Sequence, residues 1–168
     1  MSDEVCKIIG YFVWTSFMAV FESEFIYLHE VGHALVMHSL RPEETVIVVT
    51  RKRSLLARLA GSLGCGGKWL NLIEGGMMQK PMASFGRMVG LSEMEIRMIA
   101  LPGCFEENLR CLLAVMPVRG LISVIFPVPP ILPTVVASVF VMNAVRLANP
   151  KSDARYLAFP KEFQKVQN

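Results

Sequence analysis

The longest uncharged stretch of the chain is the feature that most restricts its fold. From Gly120 to Val145 there are 26 consecutive residues without one charge. A helix needs only about 20 apolar residues to cross the hydrocarbon core of a bilayer. Four prolines lie between residues 127 and 133 of this stretch, and membrane segments tolerate proline where neighbouring protein satisfies the freed backbone groups. We therefore predict a broken segment, with a short first piece, a proline turn, and a helix from about Thr134 to Leu147.

A second apolar block lies near the N-terminus. Residues 8–21 form a charge-free run of 14, and the apolar pattern continues from Phe25 to Leu40 with few polar interruptions. A run of 14 is short for a membrane span, but residues 8–40 together are long enough for one helix and a partly buried second one. Pro42 disfavours helix at Arg41, so the block is predicted to end there.

The composition supports a membrane protein rather than a soluble one. Apolar residues make up 53% of the chain and charged residues only 18%, against about 25% charged in globular proteins. This excludes a disordered chain and leaves too few charges to cover a soluble domain. The net charge of +3 includes no long basic run, so nucleic acid is not an expected partner. We predict a single membrane-embedded domain over residues 1–168, in contact with membrane lipid, with a polar, solvent-exposed C-terminal tail from about residue 151.

The middle of the chain shows short β and helical patterns. The β-branched segment Thr45–Thr50 predicts a strand, and residues 54–63 are predicted to be helical. Residues 71–90 contain several glycines and a proline, which indicates a loop or a weak hairpin. The four cysteines are scattered without a CxxC pair, which indicates reduced, mostly buried thiols.

A capping pattern marks the start of the next helix. Ser92 followed by Glu95 is a capping box, so a helix is predicted to begin there and to run to about Leu101. Pro102 and Gly103 are expected to break it, with helix resuming from Phe105 to Val115. The predicted fold class is therefore mainly α, a multi-helix membrane-embedded bundle with a short β segment around 45–50.

The strongest chemical signal is an HExxH motif formed by His29, Glu30 and His33. On a helix, residues four apart lie on one face, with about 6 Å between their Cβ atoms, so both imidazoles can bind one Zn²⁺. Glu30 can then act as general base on a water bound to that metal. Two histidines and a carboxylate are costly in an otherwise apolar helix, so they indicate function. Gly32 leaves space for another segment to approach this helix closely.

The motif and two later segments resemble the site-2 protease family of intramembrane zinc metalloproteases. The sequence HEVGHALVMH at 29–38 is similar to the family's H-E-x-G-H-A pattern. The segment at 101–109, LPGCFEENL, is similar to its Gly-Pro-x-x-Asn helix start, with Pro and Gly in reversed order. The segment at 149–153, NPKSD, resembles the late element whose aspartate completes the zinc site. The resemblance implies a zincin-like helical bundle with His29, His33 and Asp153 as metal ligands and Glu30 as catalytic residue.

A weaker resemblance connects the chain to FtsH-type zinc peptidase domains. Those domains also carry HExGHA, then a β-rich segment, and later a helix with two glutamates, to which residues 98–107 are similar. The third zinc ligand therefore has two competitors to Asp153, namely Glu106 and Glu107. Acidic residues at a helix start are also explained by the helix dipole, which makes these glutamates less specific candidates.

The sequence predicts a zinc-dependent endopeptidase that cleaves a peptide bond in or near the membrane. Its substrate is expected to be a peptide or membrane protein, extended at the site and held by strand addition to residues 45–50. Two alternatives remain open. One is a non-catalytic structural or regulatory membrane subunit related to such proteases, and the other is a stand-alone FtsH-like peptidase domain. Partner subunits are also left open.

Overall fold

The computed structural model describes residues 2–51, 54–64, 70–75, 82–85, 90–150 and 152–162. Within them, the protein is mostly helical, with a small sheet, as the sequence predicts. The elements in chain order are α1 (Asp3–Leu40), β1 (Val46–Arg51), α2 (Leu55–Ser62), β2 (Leu70–Gly75), β3 (Met82–Phe85), α3 (Glu93–Ile122), α4 (Ile131–Ala148) and α5 (Asp153–Ala158).

Helices α1 and α4 are each long and apolar enough to cross a membrane. The apolar side chains of both are largely exposed. Helix α1 is one continuous helix of 38 residues, so the expectation of two helices in this region is wrong. Nothing in its sequence interrupts the backbone hydrogen bonds before Arg41, and its buried polar side chains Glu24, Glu30 and His33 have partners on other parts of the chain.

The sheet has three strands in the order β2-β1-β3. Strand β1 falls where the sequence predicts it and pairs in parallel with β2, starting at Val46 opposite Leu70. It pairs antiparallel with β3, where Val46 is opposite Phe85. Two parallel strands need a crossover connection between them, and α2 lies in the segment that connects β1 to β2. Strands β2 and β3 flank β1 instead of forming a hairpin with each other, so the hairpin interpretation of residues 71–90 is wrong.

Helix α3 begins with the predicted capping box. The Ser92 hydroxyl accepts a hydrogen bond from the Glu95 backbone N–H at 3.3 Å, and the Glu95 carboxylate accepts one from the Ser92 N–H at 2.7 Å. The helix then continues through Pro102 and Gly103 to Ile122, so the predicted break does not occur. Proline removes one backbone donor and distorts the helix locally, and packing against a neighbouring helix can offset that cost.

The principal hydrophobic core lies where the C-terminal half of α1, strand β1 and the start of α3 meet. Its buried side chains are Ala34, Met37, Val46, Val48, Leu91 and Ile96. Helix α5 packs against α3 and α4, with Ser152 and Ala154 buried. The prediction of a solvent-exposed tail from residue 151 is therefore wrong at its start, because this segment covers the end of the helical bundle.

Candidate metal centre

Helix α1 and the first residue of α5 bring His29, His33 and Asp153 together. His29 Nε2 lies 3.1 Å from both Asp153 Oδ2 and His33 Nε2, and His33 Nε2 lies 3.3 Å from Asp153 Oδ2. Ligand atoms about 2.0–2.1 Å from a tetrahedral zinc ion are roughly 3.3 Å from one another. The three donor atoms are therefore spaced as three corners of a zinc tetrahedron.

The outward nitrogen of each imidazole has its own acceptor. His33 Nδ1 lies 2.6 Å from the backbone carbonyl of Ile99, and because a carbonyl can only accept, this nitrogen carries the proton. His29 Nδ1 lies 3.2 Å from Glu106 Oε2, and an ionised carboxylate likewise only accepts. Both rings are thus oriented with Nε2 towards Asp153, which is the arrangement that metal-binding histidines require.

Two glycines allow α1, α3 and α5 to approach one another closely enough to bring His29, His33 and Asp153 together. A Cβ atom on Gly32 would lie only 2.9 Å from Pro102 Cβ, as the sequence predicts for a close approach at this position. A Cβ atom on Gly103 would overlap the Asp153 carboxylate and lie 2.7 Å from His33 Cε1. The Pro-Gly pair therefore shapes the site within α3 instead of ending the helix.

Glu30 is buried next to the histidines, with 8% of its surface exposed. The Ala83 backbone N–H of strand β3 donates a hydrogen bond to its carboxylate. Because a side chain adjacent to His29 on a helix cannot share that residue's direction, Glu30 flanks the metal ligands rather than joining them. A buried carboxylate next to two histidines makes Glu30 the candidate general base of this group.

The Asp153 carboxylate is strongly biased towards its ionised form. Burial by itself would raise its pKa, but the hydrogen bonds and charges of His29 and His33, when both rings are protonated, outweigh burial and lower the pKa to about 2. An ionised carboxylate is the form that binds a divalent cation.

The two competing glutamates have other partners. Glu106 contacts the nitrogen of His29 that points away from Asp153, and it accepts hydrogen bonds from Arg110 at 3.2 and 3.1 Å. Glu107 lies 3.3 Å from Arg146 Nε, across the contact between α3 and α4. Neither belongs to the three-residue group described above.

Some supporting residues escape prediction from the sequence. Ile99 contributes through its backbone, which no side-chain pattern reveals. Arg110 carries one signal, because its spacing of four from Glu106 on a helix is that of an ion pair.

The expected substrate position at residues 45–50 is wrong. Residues 46–49 of β1 are already paired on both sides, with β2 and with β3, so this part of the strand has no free edge for an added strand. Strand β3 is an outer strand of this sheet, and it is the strand whose backbone contacts Glu30.

Comparison with known proteins gives no relative from which a function could be carried over, so function has to be inferred from the residues described above. No family model matches the chain, no curated protein matches it, and no solved structure matches it.

Proposed function

We propose that this protein is a membrane-embedded zinc endopeptidase that cleaves a peptide bond in or near the bilayer. The observation that carries the proposal is the convergence of His29, His33 and Asp153 from distant parts of the chain, with Glu30 buried beside them. A chance HExxH motif gives no reason for an ionised aspartate more than a hundred residues later to contact both histidines. The resemblance to site-2 proteases supports the same assignment.

The residues of the chain account for the steps of hydrolysis. A bound Zn²⁺ would supply a Lewis acid that polarises the scissile carbonyl and acidifies water. Glu30 accepts a proton from the attacking water and returns it to the amide nitrogen that leaves. Ile99 and Glu106 hold the imidazoles in the required tautomer throughout. A substrate must be extended here, since a helical peptide shields its amide bonds, and the outer edge of β3 is the strand edge near Glu30.

Substitution of the general base tests the catalytic part of the proposal. Glu30→Gln removes the proton acceptor but none of the three proposed ligands, so we expect normal zinc content and loss of cleavage. The assay uses detergent-purified full chain with fluorescein-labelled casein and with a single-span model protein tagged at both ends. Glu22→Gln is the matched control, since Glu22 is an exposed glutamate on the same helix. Wild-type cleavage by Glu30→Gln would exclude this mechanism.

Alkaline extraction tests the membrane part. Helices α1 and α4 expose apolar side chains along their length, so carbonate washing should leave the protein in the membrane pellet. Complete release into the supernatant would contradict a membrane-spanning protein and would favour the FtsH-like alternative.

A further inference from the structure

Helix α2 has its large apolar side chains on the outside. Leu55, Leu59 and Leu63 are 61%, 56% and 74% exposed, and they recur every four residues. Leu56 is also exposed, and at about 100° per residue the four leucines share an arc of about 100°. Ala57 and Ala60 on the inner side are half-buried. A soluble helix has the opposite arrangement, with its leucines packed inward and its smaller residues outside.

The helix is held firmly at its N-terminus by α1. The Glu24 carboxylate accepts hydrogen bonds from the Ser54 hydroxyl at 2.9 Å and from the backbone N–H groups of Leu55 and Leu56 at 2.7 and 2.9 Å. Glu24 is itself buried, with 7% of its surface exposed. The direction of α2 relative to α1 is therefore fixed, and the outward position of the leucines is not the result of a loosely attached segment.

The position of Glu24 along α1 indicates how deep in the membrane the leucines of α2 lie. Glu24 comes three residues after Phe21, the last residue of the charge-free run 8–21. At 1.5 Å per residue it lies roughly 5 Å beyond that run. The charged residues that follow the apolar run, Glu22 and Glu24, mark the boundary between hydrocarbon and headgroups. Helix α2 therefore starts at this boundary, next to the exposed apolar surface of α1.

We propose that the leucine face, formed by Leu55, Leu56, Leu59 and Leu63, lies in the interfacial layer of a phospholipid bilayer. This rests on the proposed membrane location of the chain. Exposed Arg58 lies on the flank of the face, where its side chain can reach lipid phosphates. The bilayer is favoured over a second protein because the leucine face begins at the level where the charge-free run of α1 ends. Anchored in this way, α2 fixes the level of Glu24, and with it the depth of α1, at the membrane surface.

Tryptophan fluorescence in full-length protein reconstituted into phosphatidylcholine vesicles tests the proposal. Trp14 and Trp69 are first replaced by Phe, and one reporter is then introduced by Leu59→Trp or by Gly61→Trp. Gly61 lies on the side of α2 opposite the leucines, and a Cβ atom there meets nothing within 4 Å, so it is a matched control. Quenching is measured with phospholipids brominated near the headgroup and, separately, deep in the acyl chain.

We expect Leu59→Trp to emit at a shorter wavelength and to be quenched several-fold more by shallow bromines than Gly61→Trp. Equal quenching of the two reporters, or absence of quenching at position 59, would overturn the inference. If the chain resists carbonate but Leu59→Trp is not quenched, the leucine face is covered by protein and only this inference fails. If carbonate releases the chain, the proposed membrane location fails together with it.

Discussion

Removal of the hydrogen bond between Glu106 and His29 is a quantitative test of the candidate metal centre. Glu106→Ala removes the acceptor that orients the His29 ring and also leaves Arg110 without its carboxylate partner. Loss of such a supporting partner typically lowers metal affinity by about 10- to 100-fold, which corresponds to roughly 1.4–2.7 kcal/mol. Glu106→Gln keeps an acceptor oxygen, so its loss of affinity should fall at the lower end of that range.

Zinc affinity is measured by competition with a chromophoric chelator in detergent, and Co²⁺ absorption reports the coordination geometry. Glu107→Ala is the matched control, because it removes the neighbouring carboxylate, whose partner is Arg146 rather than a histidine. Its effect on affinity should be much smaller. Wild-type affinity in Glu106→Ala would refute the reasoning. Equal losses in the two variants would mean that the charge of the carboxylates matters and the hydrogen bond does not.

Two further predictions concern the same centre. Asp153→Ala removes a ligand rather than its support, so zinc affinity should fall further than in Glu106→Ala, and an unchanged affinity by calorimetric titration would remove Asp153 from the site. Zinc affinity should also fall as pH falls, because protons compete for the two imidazoles. The pKa of Asp153 is lowered to about 2, so this carboxylate stays ionised until the solution is far more acidic. Asp153→Asn should therefore keep the pH dependence while weakening binding at every pH, and loss of the dependence in that variant would contradict the assignment.

Features set by neighbouring residues could be predicted from the sequence. The capping box at Ser92, the strand near residues 45–50 and the helical HExxH motif all depend on spacing within a few residues. Gly32 also predicted a close approach of another segment, because glycine weakens a helix interior. The segment that approaches it is Pro102 of α3.

Features set by distant contacts could not be predicted in this way. The local cost of Pro102 and Gly103 in a helix predicts a break, but the fit of Pro102 onto Gly32 and of Gly103 around Asp153 keeps α3 continuous. The charges of residues 151–155 are typical of a solvated tail, whereas Ser152 is buried and caps the start of α5. Parallel pairing of β1 with β2 depends on the path that the chain takes through α2 between them. The residue pattern of a strand does not predict that path.

The length of α1 has a consequence for the depth of Glu30, the proposed catalytic residue. The helix has 38 residues, or roughly 57 Å at 1.5 Å per residue, while the hydrocarbon core is about 30 Å thick. Helix α1 contains both the apolar run and His29. At roughly 1.5 Å per residue, His29 lies about 12 Å beyond the end of that run. For a chain inserted as proposed, a thicker bilayer would draw the histidines towards lipid and a thinner one would lift them into water. Bilayer thickness would then select which part of a substrate, membrane-buried or juxtamembrane, reaches Glu30.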